Sequence, residues 1–260
     1  TGPGWVAASL CAANFILAFF ILPESWKPTS EHVAARPRLA QWGHTLAQPK
    51  IGLLIGVFFL ATFCFTCFET TLGLLVGENF HLDVKRGEDA GTIGLLFAYC
   101  GIVGAAVQGG AIGRLVKKMG EPKLIAASLV LVAVSLTPLP FVHGDAPLSW
   151  HVLIHPEGLP WLKLFALLGL LAIGSGLTRP PVFGLISILT PAHEQGATIG
   201  VAQSAGSLAR IVGPVFAATL FGQHAMLPYV ICGAISFLTA LIAWQSLCRS
   251  EEPLGAPQHG

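Results

Sequence analysis

Seven stretches of this chain, at residues 4 to 22, 51 to 77, 92 to 116, 123 to 142, 160 to 189, 195 to 222 and 228 to 248, are almost continuously apolar. Each is long enough to cross a bilayer as a helix, which takes about 20 apolar residues for roughly 30 Å of hydrocarbon. Strands of a β-barrel would alternate polar and apolar residues over about ten positions, and these runs do not. The expected fold class is therefore an all-α membrane protein with seven transmembrane helices. Composition agrees: only 10% of the residues are charged, against roughly 25% in a soluble domain, while 53% are hydrophobic and the mean hydropathy is +0.72. So few charges do not cover a water-facing surface, which argues against a cytosolic enzyme, a disordered tail or a secreted disulfide module.

The net charge of +1, with no basic block, excludes nucleic acid as a natural partner. Cys11, Cys64, Cys67, Cys100, Cys232 and Cys248 lie in or beside apolar runs and read as small buried hydrophobes. Cys64 and Cys67 have C-x-x-C spacing, but within an apolar helix that spacing points to packing rather than to redox or zinc chemistry. The chain opens at Thr1 without a methionine, a basic stretch or a cleavage pattern, so its first run is not a signal peptide and the sequence reads as part of a longer one.

Alternating the spans divides the 14 basic residues unevenly. Lys27, Arg36, Arg38, Lys50, Arg114, Lys117, Lys118, Lys123 and Arg249 fall on one side, and Lys85, Arg86 and Lys163 on the other. The positive-inside rule makes the first group cytoplasmic, with Thr1 outside and Gly260 inside. The long connection from Pro23 to Pro49 also carries Pro28 and Pro37 and marks a boundary between bundles. Within it Leu39, Trp42 and Leu46 recur at helical spacing, as in a short helix on the membrane face; a solvated linker is the other reading. Trp5, Trp150, Trp161 and Trp244 sit at span ends, where headgroups favour amphipathic rings.

Ionisable side chains inside hydrocarbon need a partner or a water-filled cavity. Three occur: Glu69, Arg179 and Arg210. Glu69 belongs to the stripe Thr62, Thr66, Glu69, Gly73, and Arg210 to Gly196, Gly200, Gln203, Ser207, Arg210, Pro214, each stepping by three and four along one helix face. At 1.5 Å per residue Glu69 and Arg210 lie roughly 7 and 3 Å outward of their span midpoints, which brings them into reach of each other. Such a pair is either a structural bridge or part of a cavity. Arg179, roughly 7 Å on the cytoplasmic side, needs another partner, such as carbonyls freed at Pro180 and Pro181 or an anionic ligand. Gly94, Ala98, Gly101, Ala105 and Gly109, followed by Gly113, form a small-residue stripe suited to close helix approach. Gly174, Gly176, Pro180, Pro181 and Gly184 are expected to break or kink the fifth span, and Gly213 with Pro214 the sixth, and interrupted helices at mid-membrane are where transporters build sites.

These residues resemble the major facilitator superfamily, in particular its drug:proton antiporter branch with the tetracycline-resistance carriers. Residues 14 to 25 resemble the end of that family's sixth helix and the start of its central loop. Gly109, Gly110, Gly113, Arg114, Lys117, Lys118 and Gly120 resemble the second copy of its glycine and basic loop signature, with Lys117 where an aspartate would stand. Residues 194 to 214, from Glu194 through Arg210 to Pro214, resemble its eleventh helix.

The resemblance implies a last helix of an N-terminal bundle at 1 to 22, a central cytoplasmic loop at 23 to 50, a C-terminal six-helix bundle at 51 to 248 and a cytoplasmic tail at 249 to 260. It implies proton-coupled export of a small organic or drug-like solute by alternating access, through a cell (inner or plasma) membrane. The missing N-terminal helices of the same transporter would be partners, alongside solute, protons and lipid. Glu69 is the candidate protonatable or substrate-reading group, since burial favours a neutral carboxyl and a nearby arginine a charged one. Arg210, Arg179, Thr62, Thr66, Gln203 and Ser207 complete the expected pathway.

Other classes fit less well. A retinal protein would need a lysine in the last span, and residues 228 to 248 hold none. An intramembrane enzyme would need paired acids or a metal motif at depth, and Glu69 is the one acid there. His143, His151 and His155 with Asp145 and Glu157 read as an outer loop rather than a metal site. No cofactor or metal is called for. A non-transporting scaffold or half-carrier subunit remains the alternative.

Overall fold

The computed structural model describes residues 2–22, 38–83, 89–145 and 147–248. The readings placed on Pro23, Lys27, Pro28, Arg36, Pro37, Lys85, Arg86, Arg249 and the tail fall outside the described residues, as do the side chains of Leu39 and Trp150. The chain divides into two units between residues 37 and 38. The first contributes one apolar helix, α1, Gly2–Ile21, with no charged residue.

The second unit starts within the stretch read as a loop, with the amphipathic helix α2 (Arg38–Ala47). It continues with α3 (Pro49–Asn79), α4 (Ala90–Ala106), a π-helical turn (Val107–Ala111), α5 (Ile112–Met119) and α6 (Glu121–Leu136). A short α7 (Trp150–Leu153) precedes α8 (Leu159–Leu189), α9 (Gln195–Phe221) and α10 (Leu227–Ala243). No strand occurs among the described residues. Seven helical stretches are long and apolar enough to cross a membrane, α1 among them; α4, the π turn and α5 together form the third and α10 with the turn after it the last. The protein is an all-α, multi-pass membrane fold.

Local chemistry explains the joints. Pro49 and Pro122 sit in the first turns of α3 and α6, where a missing N–H breaks no helix bond. Gly120 joins α5 to α6 with φ of +77°, a backbone region that a side chain disfavours. Asn79 at the end of α3 donates to the carbonyls of Pro140 and Val142, 3.0 and 2.9 Å away, and so pins the loop after α6. At the opposite end α2 packs against α3 and α9. There Thr45 is buried, His44 Nε2 lies 3.6 Å from a Glu194 carboxylate oxygen, and the Gln195 amide donates to the Ser187 carbonyl at 3.0 Å. Of the two readings of this stretch, the helix holds.

α3 is the centre of the second unit, packed against α8, α9 and α10, while α6 packs on α8 and α10 and α4 leans on α8. Two apolar clusters follow α3 along its length. One gathers Phe63, Phe68, Leu72, Trp161, Leu168 and Tyr229; the other gathers Leu54, Phe58, Leu129, Val182 and Ala205. In lipid, packing rather than exclusion of water holds such helices together, which favours small residues at crossings. A Cβ on Gly174 would lie 3.0 Å from the Ser128 carbonyl oxygen, and one on Gly206 would lie 2.6 Å from the Phe58 ring.

Several expectations need correction. The stripe of Gly94, Gly101, Gly109 and Gly113 has nothing among the described residues within 4 Å of where side chains would start, whereas Gly174 of α8 and Gly206 and Gly213 of α9 meet neighbouring atoms closely. Of the two effects expected of Pro180, Pro181 and Pro214, a break does not occur: α8 and α9 run through them, and each proline removes the hydrogen bond to the carbonyl four residues earlier. Trp161 stands near the start of α8, as a span-end residue should, but does not face outward. It is fully buried and packs on Phe80 with ring centroids 4.1 Å apart. Cys64 and Cys67 behave as packing residues, buried, with thiols 3.5 and 3.4 Å from the carbonyl oxygens of Cys232 and Gly213.

Candidate functional site

A cavity of about 510 Å³ opens between α3, α4, α8 and α9. Its α3 wall is one helical stripe, Phe58, Thr62, Phe65, Thr66 and Glu69. That is the face carrying the polar residues expected from sequence, because steps of three and four return to the same side. The α4 wall is Phe97, Cys100, Gly101, Gly104 and Ala105, continued by Gln108 in the π turn. From α8 come Ala172, Ser175, Gly176, Thr178 and Arg179, and from α9 Arg210 alone.

All three ionisable residues of the spans thus converge on one space. Glu69 and Arg210 do not bond directly: among the described residues no ion pair within 4.0 Å joins them, although the arginine charge acts on the carboxyl across the gap. The expected bridge is an open pair. Among the described residues Arg179 is partnered by neither carbonyls nor a carboxylate. Its guanidinium stands over the rings of Phe58 and Phe183, 5.8 and 5.6 Å from their centroids, and these rings meet edge to face at 5.0 Å. Such contacts contribute about 0.5–2 kcal/mol and leave the guanidinium N–H groups free for an acceptor.

Hydroxyls on this wall turn back on their own helix. Thr66 Oγ1 donates to the Thr62 carbonyl at 2.8 Å, which leaves its oxygen lone pairs for a guest. Pro214 supplies no N–H to the carbonyl of Arg210, one turn below it.

Thr62, Thr66, Glu69, Arg179 and Arg210 are brought together, and Gly101 and Gly176 join them, but Gln203 and Ser207 are not. Those two are exposed on α9, where the Ser207 hydroxyl donates to the Gln203 carbonyl at 3.0 Å. They share a face with Arg210 on a helical wheel, but only the long arginine side chain reaches the cavity. Arg114, Lys117 and Lys118 are remote from it, on α5 beside the Gly120 turn. Gly109, Gly113, Gly174, Gly213, Pro180, Pro181 and Pro214 do not line it. Gln108, Ser175, Thr178 and Cys100 were missed. The steps 97, 101, 104, 108 and 172, 175, 179 carry the signal for Gln108 and Ser175, while Cys100 and Thr178 lie off those steps.

At the other end of the bundle His143, Asp145 and Glu157 line a second, shallower hollow, with His81 3.7 Å from Asp145. Among the described residues no group of three or more His, Cys, Asp or Glu is placed to hold a metal ion.

Comparison with known proteins gives this arrangement its family. The model of the Major Facilitator Superfamily matches residues 1–214 and 112–259. The chain belongs to the major facilitator superfamily. Within it, the chain is 25% identical over 240 residues to Major facilitator superfamily domain-containing protein 10 of Mus musculus, covering 92% of this chain and 44% of that one. It is 28% identical over 225 residues to Tetracycline resistance protein, class E, of Escherichia coli, covering 84% and 49%. To Multidrug resistance protein MdtG of Citrobacter koseri it is 23% identical over 265 residues, covering 97% and 57%. The chain spans about half the length of the curated relatives it matches. Superfamily membership and the seven apolar helices make it a multi-pass membrane protein of a transporter family.

Proposed function

We propose that this chain supplies one wall of the transport path of a proton-coupled exporter of small amphipathic organic solutes. The observation that carries the reading is the convergence of Glu69, Arg179 and Arg210 on one cavity between helices otherwise apolar. Ionisable side chains at membrane depth persist where they face a pathway. Unpartnered at close range, Glu69 and Arg210 have electrostatic capacity left for a proton or a solute charge. Phe58, Phe65 and Phe97 supply the apolar surface an amphipathic guest needs.

In this reading α1 is the last helix of a first bundle, residues 23 to 50 are the central cytoplasmic loop, residues 51 to 248 are the second bundle and 249 to 260 a cytoplasmic tail. The first helices of the same transporter complete the cavity. Thr1 lies outside and Gly260 inside a cell (inner or plasma) membrane, as the basic residues direct. Protonation of Glu69 weakens its attraction to Arg210, frees the arginine for the solute, and biases which side of the membrane the cavity faces. The names of the tetracycline-resistance and multidrug relatives support an exported drug-like solute.

The test is transport by the intact protein made from its own gene, purified and reconstituted into proteoliposomes. A pH gradient imposed across the vesicles should drive tetracycline, chloramphenicol or ethidium against its concentration, and a protonophore should abolish the movement. Stable, folded protein that moves none of the three, with or without a gradient, would favour the scaffold reading.

A further inference from the structure

Among the described residues Gln108 is the one carboxamide lining the cavity, and two local features surround it. It continues the α4 stripe of Gly101, Gly104 and Ala105 by one helical step and falls inside the π turn that follows. That turn ends the cavity face of the third span, because one extra residue per turn rotates everything after it. Across the crossing, the Gln108 stem lies beside Gly176 of α8. A Cβ at Gly176 would stand 3.8 Å from Gln108 Cγ and 3.6 Å from Val107 Cγ1, so the two helices already touch there. The amide itself makes no hydrogen bond among the described residues. It holds two N–H donors and an acceptor oxygen at the cavity, on the wall that carries no charge.

We propose that Gln108 is a specificity-determining residue that hydrogen-bonds an uncharged polar group of the solute, a carbonyl, hydroxyl or carboxamide. The inference rests on the reading of this cavity as the solute site. Glu69, Arg179 and Arg210 respond to charge, and Gln108 adds a directional contact that charge does not supply. A site with a polar group aimed at a solute hydroxyl or carbonyl rejects analogues lacking it, because the protein group is then left unpaired. The preferred solute therefore joins an apolar body to at least one such group.

The experiment compares intact wild-type protein with Gln108→Met and Gln108→Asn in proteoliposomes under a fixed pH gradient. Tetracycline and chloramphenicol carry the polar groups, and tetraphenylphosphonium is an apolar aromatic cation without them. For the first two, Gln108→Met should raise KM about tenfold with kcat within about twofold, the size of one lost hydrogen bond. Gln108→Asn should recover most of that loss, and tetraphenylphosphonium should be unaffected or carried better. An equal effect on all three probes, no effect on any, or wild-type transport of tetraphenylphosphonium alone would overturn the assignment. Should the Met variant fail to fold, Gln108→Ala replaces it with the same criteria. Wild-type protein that moves no probe contradicts the exporter reading itself, an outcome distinct from a wild type that transports and a variant that does not discriminate.

Discussion

The seam between α3, α6, α8 and α10 and the cavity wall both hold polar groups at membrane depth, and they treat them in opposite ways. In the seam, hydroxyls meet each other at short range. Thr71 and Tyr229 are 3.0 Å apart with Thr71 Oγ1 also 2.9 Å from the Cys67 carbonyl, and Thr178, at the border of seam and cavity, turns its hydroxyl to Ser128 at 3.0 Å. Glycines there let backbones close the gap. On the cavity wall, Glu69 and Arg210 act on each other without contact and the α4 glycines face open space. The seam spends its polarity on joining helices, while the wall keeps its polarity available. One helix serves both, since Cys64 and Thr71 of α3 point into the seam and Thr62, Thr66 and Glu69 line the cavity.

The largest effect that would break this contrast is expected at Glu69. Glu69→Gln should abolish pH-gradient-driven transport by the intact protein, at least tenfold, while thermal unfolding in detergent stays within about a degree of wild type. A matching loss of stability would move Glu69 into the seam category.

Packing substitutions sharpen the other side. Gly174→Val places its first carbon 3.0 Å from the Ser128 carbonyl oxygen and from a Val132 methyl, and should destabilise the bundle by about 1–3 kcal/mol. Gly101→Ala on the cavity wall meets nothing within 4 Å, and its unfolding temperature should not fall. Scanning fluorimetry of both in one detergent separates the cases. A smaller change is expected for Tyr229→Phe, which removes one buried hydroxyl contact worth about 1 kcal/mol while Thr71 keeps its bond to Cys67. His44→Ala, which removes a partly exposed contact to Glu194, should change stability by less than about 1 kcal/mol.

The sequence made the spans and the charged stripe legible because both follow from what hydrocarbon penalises. An unbroken apolar run has few alternatives to a helix, and Glu69, Arg179 and Arg210 inside such runs demand a special setting. The short helix α2 was half legible, since Trp42 and Leu46 marked its apolar face but nothing in them showed that Thr45 and His44 would dock at the α9 terminus. Helix-to-helix geometry was not legible. A glycine stripe has the same appearance whether it meets another helix or open space, so sequence does not distinguish the α4 stripe from Gly174, Gly206 and Gly213, which meet neighbours closely. Helical phase likewise does not show that Arg210 reaches the cavity while Gln203 and Ser207 stay outside, or that Phe58 and Phe183 will receive Arg179. Gln108 was hidden because its place at the cavity follows from a π turn and from the crossing of α4 with α8 beside Gly176, features of two segments far apart in sequence.

The central claim is that Glu69 links protonation to occupancy of the cavity, and the most direct measurement is of protons released or taken up when solute binds. Purified intact protein in weakly buffered detergent, with a pH-sensitive dye, would be titrated with whichever of the three exporter probes it transports. The account predicts a proton exchange of about one per bound solute in wild type and none in Glu69→Gln that still binds. The same proton exchange in both proteins would contradict it.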